Sequence, residues 1–148
     1  MDISIKFAGD LRFIATVDGK HSFVIDGNRI TNASAMDFLL AGLGACTSID
    51  VVMILQKMRE PLRDLVVDVH GERAHEHPRV YTDVKLHYRA FGNINEEKLV
   101  KAIELSQNRY CSASIMFKRS GANVTYSYEI IRDQPPENLG NNNISSQS

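Results

Sequence analysis

The sequence predicts an α+β chain in which antiparallel strands flank one long apolar helix, and three observations carry that expectation. Short runs of alternating apolar and polar residues fill the first 28 positions, an almost unbroken apolar stretch follows from Met36 to Leu55, and alternating runs return after Pro61. The chain has 148 residues, 43% of them hydrophobic and 24% charged, enough for a single domain that buries roughly two thirds of its unfolded surface. Residues 1–132 read as that domain and residues 133–148 as a disordered tail, because two prolines, an asparagine run and serines supply too little apolar surface to fold.

The first strands come from Ile3, Ile5 and Phe7 on one face and from Leu11, Phe13 and Ala15 after a turn at Gly9-Asp10. Asp18-Gly19 is a favoured pair for a turn with positive φ, and Phe23 and Ile25 lead to a further turn at Asp26-Gly27-Asn28. Three antiparallel strands result. Ser34 with Asp37 three places on forms a capping-box pattern that starts a helix near Ala35. The first stop signal is Glu60-Pro61, with Lys57 and Arg59 placed to favour the negative helix end, so the helix spans about 25 residues or roughly 37 Å. Its apolar residues cover nearly the whole circumference, which requires enclosure on most sides and points to a homodimer.

Leu65, Val67 and Val69 form one later strand and Val80 to Ala90 another, joined by the polar segment Glu72 to Arg79. Asn95 caps a second helix that carries Glu96 and Glu97 in its first turn and is expected to end near Arg109. Cys111 opens a short apolar stretch to Phe117, and Val124, Tyr126, Tyr128 and Ile130 define a last strand.

Composition excludes several classes of function. Seventeen Lys and Arg against 18 Asp and Glu give a formal net charge of -1, so no global field gathers nucleic acid or anionic lipid. The apolar run is long enough to cross a bilayer, but Asp37, Asp50, Gly42, Gly44, Thr47 and Ser48 within it favour a buried core helix over a membrane span. Charges interrupt the N-terminal apolar residues where a signal peptide needs continuity, which leads us to expect a cytoplasmic protein with reduced thiols. No glycine-rich phosphate loop, nucleophile elbow or zinc-helix motif occurs, and no cofactor is expected.

Two cysteines, Cys46 and Cys111, lie 65 positions apart, a spacing that matches neither a disulfide-dense secreted domain nor a paired zinc motif. Cys46 sits mid-helix among Gly42, Gly44, Ala45, Thr47 and Ser48, small neighbours that admit a second backbone or a small ligand, although a buried free cysteine also serves as a small core hydrophobe. Cys111 precedes Ser112-Ala113-Ser114 at the start of a short helix, where free N–H groups favour a thiolate, and on local grounds it is the better thiolate candidate. Asp50 follows Cys46 by one turn on the same helical face. His75 and His77, with His70 upstream, form a weaker candidate for metal binding against the plainer reading of a solvated loop.

Taken together, the Ser34-to-Leu40 helix opening, Ala45-Cys46, Glu72-Arg73, Pro78-Arg79-Val80-Tyr81-Thr82 and Asn108-Arg109-Tyr110-Cys111-Ser112 resemble the OsmC-like and organic hydroperoxide resistance proteins, over about Ile3 to Ile131. The resemblance implies two intertwined chains whose long helices pack between sheets, with two equivalent sites at the interface. It implies a thiol-dependent peroxidase in which Cys46 attacks an organic hydroperoxide, Cys111 resolves the product as a disulfide, and an external dithiol restores both thiols. It further implies an arginine from the N-terminal segment, for which Arg12 and Arg29 are the candidates, and a glutamate ten residues before the first cysteine; Arg109, close to Cys111 in sequence, is a third candidate for the cation that activates Cys46. Met36 occupies that position here, and Asp37, one place on and turned by about 100°, reads as a helix cap. The alternative function is a binding module that uses a less polar dimeric pocket for an apolar or thiol-bearing small molecule.

Overall fold

The computed structural model describes residues 1–134, and within them the α+β architecture is as expected. Strands β1 (Ile3–Phe7), β2 (Arg12–Val17) and β3 (His21–Asp26) form an antiparallel meander. Asp18 and Gly19 turn the second hairpin with φ of 49° and 66°, and the Lys20 N–H donates to the Val17 carbonyl at 2.9 Å across them. Asp26 ends the meander by folding the next residues onto itself. Its carboxylate accepts the N–H groups of Asn28, Ile30 and Thr31 at 2.9, 3.0 and 2.9 Å, and these bonds hold its pKa down at about 2.

Helix α1 (Ala35–Lys57) starts where the capping box places it, the Asp37 carboxylate accepting from the Ser34 N–H at 2.9 Å. It stops earlier than Pro61 requires. Arg59 adopts φ 57°, the Glu60 N–H donates to the Leu55 carbonyl and the Arg59 N–H to that of Gln56, both at 3.0 Å. This pair of bonds is a Schellman ending, which satisfies the last carbonyls without a glycine.

Strands β4 (Asp64–Arg73) and β5 (Tyr81–Phe91) pair antiparallel, so Glu72 and Arg73 belong to the strand and the connection shortens to residues 74–80. The Asn95 side chain caps α2 (Glu96–Leu105) by accepting the Lys98 N–H at 3.0 Å. The expected continuation to Arg109 is helical but not α: Ser106–Tyr110 forms a π turn, closed by the Cys111 N–H on the Ser106 carbonyl at 2.7 Å. Helix α3 (Ser112–Arg119) and strand β6 (Asn123–Ile131) follow. One pairing departs from the antiparallel expectation. β6 lies parallel to β5, because the helical connection between them carries the chain back to its starting end. Of the expected tail, Asp133 is tied down by an ion pair to Arg63 at 2.9 Å and by its N–H to Asn93 at 3.2 Å. Residues 135–148 lie outside the described part.

The three helices cover one face of the β4–β5–β6 sheet. Leu43, Val51 and Leu55 of α1 join Val84, Leu86, Tyr88 and Ala90 of β5 and Leu99 and Ile103 of α2 in one core. Two glycines set the distance between α1 and the sheet: a Cβ at Gly44 would lie 2.8 Å from Val69, and one at Gly71 would lie 2.8 Å from both Leu40 and Tyr81. The opposite face of α1 has no cover, with Leu39, Ile49 and Met53 each about half exposed. The N-terminal sheet packs mainly on itself, meeting α1 where Phe23 approaches Phe38 at 5.0 Å, and leaves Ile3, Ile5 and Phe7 open. Replacing Gly71→Ala should wedge α1 from the sheet and destabilise the fold by about 1–3 kcal/mol, read as a lower urea midpoint.

Candidate functional site

Three elements bring the two cysteines together. The middle of α1 carries Cys46, the π turn reverses the chain after α2, and the start of α3 carries Cys111. The two sulfurs and a carboxylate oxygen of Asp50 all lie within 4.8 Å of one another. Cys46 is half-buried beside the uncovered face of α1, whereas Cys111 is fully enclosed.

Cys111 caps α3 as its local sequence suggests, the Ser114 N–H pointing at its sulfur from 3.4 Å. The electrostatic consequence is nevertheless reversed. Burial pushes the Cys111 thiol up to about 12, and the Cys46 sulfur and Asp50 carboxylate add to that, outweighing the single N–H that favours the thiolate. The local expectation that the helix start favours a Cys111 thiolate therefore fails, since sequence neighbours report the helix end and not the depth at which it is buried.

Beneath the sulfurs runs a hydrogen-bonded network that the sequence does not announce. Ser106 Oγ donates to Asp50 at 2.9 Å, and an ionised carboxylate only accepts, which fixes the direction of every bond behind it. With its one proton so used, Ser106 accepts from Thr47 at 2.8 Å, and Thr47 in turn accepts from the Tyr88 hydroxyl at 2.6 Å. Gln107 Nε2 donates to both Thr47 and Tyr88, at 3.0 and 2.9 Å, while its Oε1 accepts from Ser114 at 2.6 Å. Burial pushes the Tyr88 phenol up to about 12, so it stays a neutral donor. The network binds α1, β5, the π turn and α3 to one another and orients Asp50 toward the cysteines. Its members were legible only in part: Thr47 breaks an apolar helix and Ser106-Gln107 break the apolar pattern of α2, but nothing local pairs them.

The arginine candidates lie elsewhere within one chain. Arg12 faces Asp10 at 3.4 Å, and Arg29 pairs with Asp37 at 2.9 Å, nine residues and about 13 Å of helix rise before Cys46. Arg109 stacks over Tyr110 at 5.3 Å. His75 and His77 are exposed in the β4–β5 connection, and among the described residues they join no group of three potential metal ligands. Two apolar clefts flank the uncovered stripe of α1. One of about 460 Å³ reaches Asp50, Met53 and Tyr110, and one of about 240 Å³ is lined by Met36, Leu39, Met116 and Phe117.

Comparison with known proteins places this geometry in context. Residues 27–127 match the family model of OsmC-like proteins. Protein YhfA of Escherichia coli K12 is 35% identical over 133 residues, covering 88% of this chain and 98% of its own. The crystal structure of a hypothetical protein from Aquifex aeolicus superposes with a TM-score of 0.82 at 26% identity, covering 90% and 97% of the two chains. The organic hydroperoxide resistance protein OhrB of Bacillus subtilis shares the fold, with a TM-score of 0.63 at 14% identity over 87% and 98%.

Thr47 makes three of the buried bonds, so Thr47→Val should strand Tyr88, Ser106 and Gln107 and destabilise the protein by at least about 1–3 kcal/mol. Chemical denaturation compared with the unsubstituted chain measures this.

Proposed function

The chain belongs to the OsmC-like protein family, and from that premise we propose that it is a thiol-dependent peroxidase that reduces organic hydroperoxides through Cys46 and Cys111. The observation that carries this reading is the approach of the two sulfurs to within 4.8 Å from positions 65 residues apart. An isolated core cysteine has no use for a second one in contact, whereas a two-thiol reduction requires it.

Cys46 is the attacking thiol, because it is the more open of the two and lies beside the exposed stripe of α1, one helical turn from Asp50, which lines the larger flanking cleft. Its thiolate forms an S–O bond with the terminal peroxide oxygen as the O–O bond breaks, and the departing alkoxide takes a proton to leave as an alcohol. The Cys46 sulfenic acid is then displaced by Cys111, forming an S–S bond and releasing water. Two electrons from two thiols reduce one peroxide, and an external dithiol restores them by exchange. The expected setting is the cytoplasm, where such reductants keep thiols reduced.

The same reading takes the protein as a homodimer. Leu39, Ile49 and Met53 on α1, with Ile3, Ile5 and Phe7 on the free meander, form apolar surface that a second copy would bury. In that arrangement Arg12 or Arg29 of the partner's meander supplies the cation that a mid-helix thiol lacks.

A second reading, a binding module for an apolar small molecule, has one observation in its favour: Met36 lines an apolar cleft with Leu39, Met116 and Phe117. The two readings part on turnover. With an organic hydroperoxide and excess dithiol, the wild type should consume peroxide continuously and Cys46→Ser should not. Without added dithiol, Cys111→Ser should react once and stop at the sulfenic acid, detected by mass. Peroxide decay unchanged in both variants would leave the binding module. Light scattering at micromolar concentration should give about twice 16.6 kDa, and a monomer would remove the partner arginine from the mechanism.

A further inference from the structure

We propose that the reduced protein holds a thiophilic divalent cation of the zinc class between Cys46, Asp50 and Cys111, with a fourth coordination position left open. Among the described residues these three form the one group of ligand-type side chains whose donor atoms all lie within 4.8 Å of one another. Tetrahedral zinc with thiolate and carboxylate ligands holds donor atoms roughly 3.5–3.8 Å apart, so small side-chain torsions close the site without moving the helices.

The donors come from two rigid elements. Cys46 and Asp50 stand one helical turn apart on α1, the i, i+4 spacing at which two side chains of one helix reach a common point, and Cys111 is fixed at the start of α3. The Asp50 carboxylate is already oriented, one oxygen accepting from Ser106 at 2.9 Å, while the other makes no hydrogen bond to a described residue and is free to coordinate. Two sulfurs and one oxygen select zinc or cadmium over magnesium or calcium, which take oxygen donors. Each thiol that binds surrenders its proton, so one cation displaces two protons and changes no oxidation state. The fourth position faces the open side of Cys46, where water or a small thiolate completes the shell.

Cation and disulfide exclude each other, because each needs both sulfurs. Zinc would bind the reduced thiols whether or not they meet a peroxide, so the site and the peroxidase reading fail independently.

Reduced, metal-stripped full-length protein titrated with zinc against a chromophoric chelator should bind one equivalent per chain with release of protons. Cadmium should add a thiolate-to-metal charge-transfer band in the ultraviolet. Cys46→Ser, which alters a half-buried position, should abolish the band of a two-sulfur site. Asp50→Asn should weaken zinc binding at least as much as the about 10- to 100-fold that loss of an outer-shell partner costs. The double variant His75→Ala, His77→Ala should bind as the wild type does. Binding that survives Cys46→Ser but is lost in the histidine variant, or no binding at one equivalent, overturns the proposal. One equivalent of zinc should also block disulfide formation by peroxide, and a chelator should restore it. If zinc binds but no disulfide ever forms after chelation, the peroxidase reading fails and the metal site stands.

Discussion

A helix that is apolar around nearly its whole circumference has no side to give to water, and α1 is such a helix. Its mean hydropathy over the most apolar 18 residues is 2.1, yet only 28% of that window is buried within one chain. The sheet and α2 cover one face, where Leu43, Gly44, Thr47, Val51 and Leu55 are all enclosed. The opposite stripe, with Leu39, Ile49 and Met53 about half exposed, is large enough that hydrophobic burial on association would dominate its energetics. Cys46 stands at the edge between the two faces. Whatever covers the stripe therefore also roofs the thiol, and cover and chemistry become one question.

The buried network solves a different problem at the same place. Polar groups inside a core are costly unless every donor and acceptor is used, and among the described residues no buried side-chain nitrogen or oxygen lacks a partner. The chain of donors from Tyr88 through Thr47 and Ser106 terminates on Asp50, so a single carboxylate sets the polarity of bonds reaching 59 residues along the sequence, from Thr47 to Ser106. Gln107 ties the network to Ser114, three residues after Cys111. The sulfur geometry thus rests on groups that take no part in sulfur chemistry.

Much of this was legible from the chain alone. Binary alternation located the strands, Ser34 and Asp37 marked the start of α1, Asn95 marked α2, and the helix start beside Cys111 followed from small residues behind it. These are local signals, each settled within a turn or a hairpin. The end of α1 was misread because the proline is a visible barrier whereas Arg59 in a left-handed conformation is not. The π turn and the parallel pairing of β6 escaped for a related reason: both depend on distant elements, Thr47 and Tyr88 for Ser106 and Gln107 and the edge of β5 for β6. At the site, the cysteines and Asp50 could be named, but their depth could not, and burial turned Cys111 from a thiolate candidate into a protonated thiol.

The parallel pairing of β5 and β6 also orders events in time. Each β5 residue from Asp83 to Phe91 meets one 40 positions later, from Asn123 to Ile131. The β4–β5 hairpin needs only a short loop closed, whereas β6 must wait until α2, the π turn and α3 have spanned the sheet, and closing longer loops is slower. Cys111 lies within that connection, so its approach to Cys46 depends on the same helical span that carries the chain back to β6.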